Sequence, residues 1–445
     1  MKKTISLFLS VVFLAALAAC ARSGTAVPAE TDAPAPEPAS FPSLYVTTDY
    51  GGPVVVREYY GATFTLTGSD GGKYDFSDLP GQIKCRGNST YHLPKKPYRI
   101  KFDEKINMLG QGGGPSKSWV LLANYNDRTM MRNRVTFAMG RKLDGIGFTS
   151  SSSFVRVFMN GVDLGVYELA EHHGDGKYRI DMKEDPEETD TDYLIEMDEY
   201  VKIRRDVQIP YTFDVGDRSF VVKSDAMTLK KWRFLSGCFK DVDAAVEEGS
   251  RERVEELVDV PSFVDTYLLQ EISKNPDGGI SSFFFLKKGG GKLFCTCPWD
   301  FDIAYGNDPA IDNGSFEGLF IGNPYHEAED ESGGFKPNRW FSLLMKRRWF
   351  VDLVAERWEE KKEELRNAAL SDVEEALASY EDEMNSNYEI WRNDPVSVTG
   401  PDGEETVLKG WRENTEYLKE WIERRFDWLD RYWNDPENKY SYVES

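Results

Sequence analysis

Three carboxylates stand at the two ends of one short sequence unit. In EISKNPDGGISSFFFLKKGGGKLFCTCPWDFDIAYGN, Glu271 to Asn307, a helical stretch ends at Lys274 and Asn275, and a loop follows that holds Pro276, Asp277, Gly278 and Gly279. Two apolar runs, SSFFFLKK and KLFCTCP, joined by the turn Gly289 to Gly291, read as a strand pair that leads to Asp300 and Asp302. Folding that hairpin back brings both of its loop ends to one side. Acids clustered in one site repel one another unless a cation neutralises them, so the arrangement suits Mg²⁺ with oxygen ligands. In phosphoryl transfer one carboxylate orients the attacking hydroxyl and accepts its proton, while another holds the metal that bridges the phosphates. Asp in a Gly-rich loop also serves as a plain turn former, and spacing alone leaves both readings open.

Other chemistries fit less well. The four histidines, His92, His172, His173 and His326, contain no H-E-x-x-H spacing, which argues against a His-based metal hydrolase. The five cysteines, Cys20, Cys85, Cys238, Cys295 and Cys297, lack the paired C-x-x-C arrangement of structural zinc. Cys295 and Cys297 flank Thr296 in a strand-like run and are expected on one face, as small buried apolar residues. A formal charge of −22 over 445 residues repels a polyanion, so nucleic acid is not an expected partner. A phosphate donor would need local Lys or Arg and a divalent cation against that field.

The elements that must position these acids follow from composition and periodicity. Residues 1–20 carry Lys2 and Lys3, then an apolar run ending in Leu17, Ala18, Ala19 and Cys20, the pattern of a lipoprotein signal peptide cleaved before a lipidated Cys20. This predicts an exported protein tied to a bacterial membrane or cell surface by its N-terminal lipid. Residues 21–43 are rich in Ala, Pro, Glu and Thr and read as an extended tether. From 44 to 225 short alternating runs (LYVTT, ATFTLTG, QIKCRG, PYRIKF) predict a twisted antiparallel sheet. Asp127 caps a helix expected from about Arg128 to Leu143, and Asn160-Gly161 turns a hairpin between FVRVFMN and LGVYELAE. From 226 to 435 the chain is mainly helical, with amphipathic stretches from Trp340 to Asn385 and Trp411 to Trp433 that pack on the core, and 436–445 is a tail. The fold class is therefore α+β, with a β-rich N-terminal lobe and a mainly helical C-terminal lobe.

Five blocks in chain order, RGNSTYHLPKKPYRIKF, KSWVLLANYNDRTMMRN, NGVDLGVYELAE, KNPDGG and PWDFDIAYGN, together resemble the CotH kinase (spore coat protein H) family over roughly residues 80–310. The resemblance implies an atypical protein-kinase-like two-lobe fold that binds ATP and Mg²⁺ and phosphorylates Ser or Thr of a protein substrate. By matched motif Asp277 corresponds to the catalytic Asp and Asp300 to the metal-binding Asp, with Asp302 as a helper ligand. Arg86 and Lys96 match the family's characteristic basic positions. Lys101, on the strand face shared with Arg99, and Glu171, at the end of its strand, complete the residues assigned to the nucleotide. Two departures stand out. Ser282 occupies, by count, the place of the second metal-binding Asn of ordinary kinases, and no G-x-G-x-x-G occurs near the N-terminal strands. These favour a runner-up from another class, a kinase-like surface binding or scaffold protein without transfer activity. A glycosidase built on paired acids is a third and weaker reading.

Overall fold

The computed structural model describes residues 41–444 apart from 109, 111, 175, 203–210, 226, 308–313, 324–335, 393 and 400–404. Cys20, the signal segment 1–20 and nearly all of the tether 21–43 lie outside the described residues. No helix among the described residues is long and apolar enough to cross a membrane.

Period-two alternation produces strands β1 (Ser43–Thr48), β2 (Tyr60–Thr67), β3 (Phe76–Cys85), β4 (Tyr98–Ile106) and β5 (Ser116–Leu122). Helix α1 (Arg132–Gly140) then separates β5 from the hairpin β6 (Ser152–Met159) and β7 (Val162–Glu171). The sheet is not open. Its order β1-β2-β3-β4-β5-β7-β6 closes into a barrel because β1 also pairs in parallel with β6, Leu44 opposite Val157. Closure leaves no unpaired edge, and Leu44, Val46, Phe64, Ile83, Ile100, Phe102, Trp119, Leu121 and Leu169 fill the interior. A parallel contact between strands far apart in sequence has no local signature, which is why alternation predicted a sheet and not its closure. The β6–β7 turn is as expected, with Asn160 and Gly161 both at positive φ (50° and 80°).

A second sheet has the order β12-β11-β8-β10-β9, from β8 (Tyr193–Met197), β9 (Thr212–Val215), β10 (Arg218–Val222), β11 (Phe283–Lys287) and β12 (Leu293–Thr296). It joins strands from both sides of residue 225 within the one compact unit Ser40–Ser445. On one face Val120 and Leu122 of β5 and Ala170 of β7 meet Leu194, Phe284, Leu286 and Trp299. The run WVLL is apolar throughout because its strand is buried on both faces, one inside the barrel and one against this sheet. On the other face Ile195, Phe283 and Phe285 meet the helices. Cys295 and Cys297 fall into different clusters, contrary to the alternation, because β12 ends at Thr296 and Cys297 takes φ 51°.

The helical part comprises α2 (Leu229–Glu248), α3 (Arg251–Leu257), α4 (Val260–Ser273), α5 (Arg339–Leu344), α6 (Arg348–Ser379), α7 (Glu381–Trp391), α8 (Trp411–Asn434) and α9 (Pro436–Lys439), with a small hairpin of β13 (Val396–Thr399) and β14 (Glu405–Leu408) before α8. Helix α4 is buried along nearly its whole length, is capped by Asp259 accepting from Ser262 N at 3.0 Å, and leads directly into the Asp277 loop. Near its end a buried ion pair joins it to α8. Arg425 Nη2 lies 2.7 Å from Glu271 Oε1, with the side chains 0% and 1% exposed. Arg425 also donates to Phe316 O and Gly318 O at 2.8 Å each, and Glu271 accepts from Phe320 N at 2.7 Å and Ile321 N at 3.1 Å. One pair thus ties α4, α8 and the 316–321 segment together.

Removing one partner of such a pair strands the other as an uncompensated buried charge. Arg425→Met is expected to lower unfolding free energy by about 3–5 kcal/mol in urea denaturation, and adding Glu271→Leu should return a large part of that loss.

Candidate functional site

Helix α4 stops because Lys274 adopts a left-handed backbone, φ 45°, and its Nζ donates to Ser315 O at 2.8 Å and Glu317 O at 2.9 Å. Asn275 caps the short turn that follows, accepting from Asp277 N at 3.2 Å. The Asp277 carbonyl accepts from Ile280 N at 2.9 Å and Ser281 N at 2.8 Å, so the backbone is locked while the side chain stays half-buried. Gly279 packs against Lys336 O so closely that a Cβ would collide with it, and Asn338 Nδ2 donates to Gly278 O at 3.0 Å. The glycines of this loop therefore serve close packing around its one acid.

Beyond β12 the chain carries Asp300 and Asp302 on a loop with unusual backbone. Asp300 and Tyr305 have φ of 67° and 51°, positions that side-chain-bearing residues hold only when surrounding contacts enforce them. Those contacts come from α1 and the turn before it. Asn133 Oδ1 accepts from Phe301 N at 2.7 Å, Arg132 Nε donates to Ala304 O at 2.9 Å, and Thr136 Oγ1 lies 2.7 Å from the Tyr305 hydroxyl. Asn307 Nδ2 closes the loop, donating to Asp302 O at 2.6 Å and to Asn126 O at 3.0 Å. Helix α1 is shorter than the expected 128–143. It begins at Arg132 because Asp127 first turns the chain through Thr129, accepting from its N at 2.9 Å, and then accepts from Arg132 N at 2.9 Å.

The predicted acids form one electrostatic group. Burial pushes the Asp302 carboxyl well above the usual carboxylate range, and the charges of Asp300, Asp277 and Asp127 push the same way against a hydrogen bond from Asn126. Asp300 is also raised by burial, opposed by the nearby Arg86 guanidinium and by Ser282, whose Oγ donates to Asp300 Oδ2 at 3.3 Å. Ser282, which by count takes the place of the second metal-binding Asn of ordinary kinases, thus touches Asp300. Arg86, Asp300 and Asp302 line one recess of ≈ 30 Å³ together with Lys95, Asn124 and Asn133. That volume suits about one ion or water.

Among the described residues, no group of three or more His, Cys, Asp or Glu is placed to hold a metal unaided. Neither Asp300 nor Asp302 makes an ion pair among the described residues. Mg²⁺ normally takes one or two protein carboxylates and completes its shell with water and substrate phosphate, so two repelling acids in an ion-sized recess are a donor set that fits it.

The remaining predicted residues scatter. Lys96 donates Nζ to Tyr91 O at 2.8 Å and braces its own loop. Its neighbour Lys95 is the lysine that faces inward, 1% exposed, bonded to Asn387 Oδ1 at 3.0 Å and lying 4.5 Å from the Tyr167 ring centre. Burial alone holds its amine well below the usual lysine range. Lys101 is exposed on β4 while Arg99 beside it donates to Ser118 Oγ at 3.0 Å. Glu171 pairs with Arg179, not with a lysine, and accepts from Ser151 N at 2.9 Å, lining a separate cavity with Gly112, Gly113 and Arg141.

Sequence reasoning missed the histidine pair. His172 and His173 stack at 4.8 Å, and His173 lies 4.4 Å from Phe284 and 4.7 Å from Trp299, whose ring is 5.3 Å from the Arg86 guanidinium carbon. Burial holds both imidazoles well below their usual range, with His173 and then Arg99 and Arg86 adding to it at His172 and Arg86, Lys223 and Arg99 at His173, which packs on Trp299, the residue before Asp300. It missed Asn124, Asn133 and Glu168 as well. The available signal was polar residues inside otherwise apolar runs, Glu168 between Tyr167 and Leu169 of a strand buried on both faces.

A sequence model described as CotH kinase protein matches residues 83–429, most of the chain. No curated protein matches it.

A buried carboxylate whose native pKa is raised costs stability once the pH passes from its unfolded value up through its native one. Asp302→Asn is therefore expected to gain on the order of 1–2 kcal/mol over the parent at neutral pH without metal, an advantage that shrinks as the pH falls toward that of a free carboxylate. Urea denaturation at several pH values checks it.

Proposed function

As the chain belongs to the CotH kinase family and is kinase-like, we propose that it transfers the γ-phosphoryl group of ATP, with Mg²⁺, to Ser or Thr of a protein substrate. The observation that carries this reading is the meeting of Asp300, Asp302 and Arg86 in one recess, with the charge of Asp277 acting on Asp302. In the proposal the barrel acts as the N-terminal lobe and the helical part as the C-terminal lobe of a kinase-like arrangement.

Asp277, fixed in backbone and half-buried in side chain, orients the substrate hydroxyl and accepts its proton. Asp300 and Asp302 hold Mg²⁺, which supplies neutralisation of phosphate charge when bound. Arg86 offers its guanidinium to phosphate oxygens at the same recess. His172, half-buried and stacked on His173, offers an aromatic face on which a base can stack. We further propose that Cys20 carries a lipid that holds the domain at the bacterial surface, and that nucleic acid is not a partner, given the charge of −22.

A second reading, a kinase-like binding protein without turnover, is favoured by the recess volume of ≈ 30 Å³, which admits an ion but not a nucleotide without movement of its walls.

Protein lacking residues 1–40 should incorporate label from γ-labelled ATP and Mg²⁺ into itself or a generic protein substrate. Asp277→Ala should lower the rate about 10²- to 10⁴-fold, and Asp300→Ala should abolish it. Equal labelling by parent and Asp277→Ala would sink the kinase reading. Calorimetry showing Mg²⁺-dependent ATP binding with no transfer would support the second.

A further inference from the structure

The roles given to Asp277, Asp300 and Asp302 leave unused a chain of buried polar groups that ends on their loop. Asn133 of α1, 3% exposed, accepts from Phe301 N at 2.7 Å, the peptide N–H directly after Asp300. Its Nδ2 donates to Asn124 Oδ1 at 3.2 Å. Asn124, itself at φ 47°, uses its Nδ2 to donate to Glu168 Oε2 at 2.7 Å and to Met130 O at 3.1 Å. Glu168, 0% exposed on β7, stands opposite Leu122 at the end of β5.

The chain has a direction. A backbone N–H can only donate, so Asn133 must present its oxygen to Phe301, which turns its amide nitrogen toward Asn124. Asn124 must then accept with its oxygen, which turns its own nitrogen toward Glu168. A carboxyl acceptor at the far end therefore fixes the orientation of both amides, and through them the peptide next to Asp300. That peptide needs fixing, because Asp300 sits at φ 67°. Asn124, Asn133, Asp300 and Asp302 all line the same recess.

We propose that Glu168, Asn124 and Asn133 form a positioning relay that sets the backbone at Asp300, so that the affinity of the recess for a divalent cation depends on the acceptor oxygen of Asn133. This rests on the reading of Asp300 as a metal ligand, and it adds three positioning residues to it.

The relay predicts a pH-dependent variant. Burial pushes the Glu168 carboxyl up to about 7, with Ser152, Asn124 and the charge of Arg134 pulling it down and Asp127 pushing it up, while Arg141 also feels its charge. In Asn133→Asp the new carboxylate still accepts from Phe301 N but cannot donate, so Asn124 must turn round and place its oxygen against Glu168. That contact is a hydrogen bond only while Glu168 is protonated.

The experiment titrates Mn²⁺ alone, followed by electron paramagnetic resonance of the free ion, into protein lacking residues 1–40, with phosphate transfer measured in parallel. Asn133→Leu should weaken Mn²⁺ binding by about tenfold or more, the usual effect of losing a group that orients a metal ligand. The Mn²⁺ affinity of Asn133→Asp, taken as a ratio to that of the parent, should fall progressively as the pH rises above about 7. Should Asn133→Leu not fold, the pH profile of Asn133→Asp decides alone. Parent-like Mn²⁺ affinity in Asn133→Leu, a flat ratio of Asn133→Asp to parent across pH, or no Mn²⁺ binding by the parent would each overturn the relay. Weakened Mn²⁺ binding in a protein whose parent transfers no phosphate would uphold the relay and discard the kinase reading.

Discussion

Two aspartates that repel each other are held on one loop, in a half-buried recess, with part of the backbone in a left-handed conformation. Left to itself such a loop would relax, turning the acids outward to water and apart. What prevents this is the grip of α1 and the preceding turn on the loop, at the main chain of Phe301, Ala304 and Tyr305 and at the side chain of Asn307. Most of these bonds go to backbone groups, so they fix position while leaving the two carboxylates available. The electrostatic strain at Asp302 is the counterpart of that grip, and a bound cation would relieve it.

The grip is possible because the barrel delivers α1 to the right place. Strand β5 is buried on both faces and cannot slide, since one set of side chains fills the barrel and the alternate set packs on the second sheet. Its last residues lead into Asn124 and Asp127, and Asp127 starts α1 against the acid loop. On the other side, the second sheet ends in β12, which releases the chain at Thr296 directly into that loop. The Asp277 loop is placed independently, by α4 and by the buried Glu271–Arg425 pair that secures the neighbouring 316–321 segment. Barrel, second sheet and helices therefore each contribute one wall, and each wall is anchored by an interaction buried from water.

The cations are distributed in keeping with a strongly acidic chain. Arg86 stands beside Asp300 and shares its recess, Arg179 is consumed by Glu171, and Lys95 is buried against carbonyl and amide oxygens, with burial holding its amine down. Arg86 thus stands between Asp300 and the Trp299 ring, which packs in turn on His173.

Much of this was legible in the residue string. The strand pair 283–296, the loop holding Asp277, the acids beyond the hairpin, the Asn160-Gly161 turn and the amphipathic helices all follow from local periodicity and turn chemistry, which depend on near neighbours alone. The acids came forward through residue type and order, and Arg86 through the resemblance of its block to the family. Lys95 against Lys96 was not decidable, since adjacent residues of one type differ only in which side of the chain meets the core. Nor was the closing of the barrel by β1 on β6, or the relay from Glu168 through Asn124 and Asn133 to the Asp300 peptide. By itself the sequence determined which elements form and which groups can do chemistry, because propensity and chemical type are properties of short segments. Only the tertiary structure decided which of those groups meet, because contacts between residues far apart in the chain are settled by the packing of whole elements.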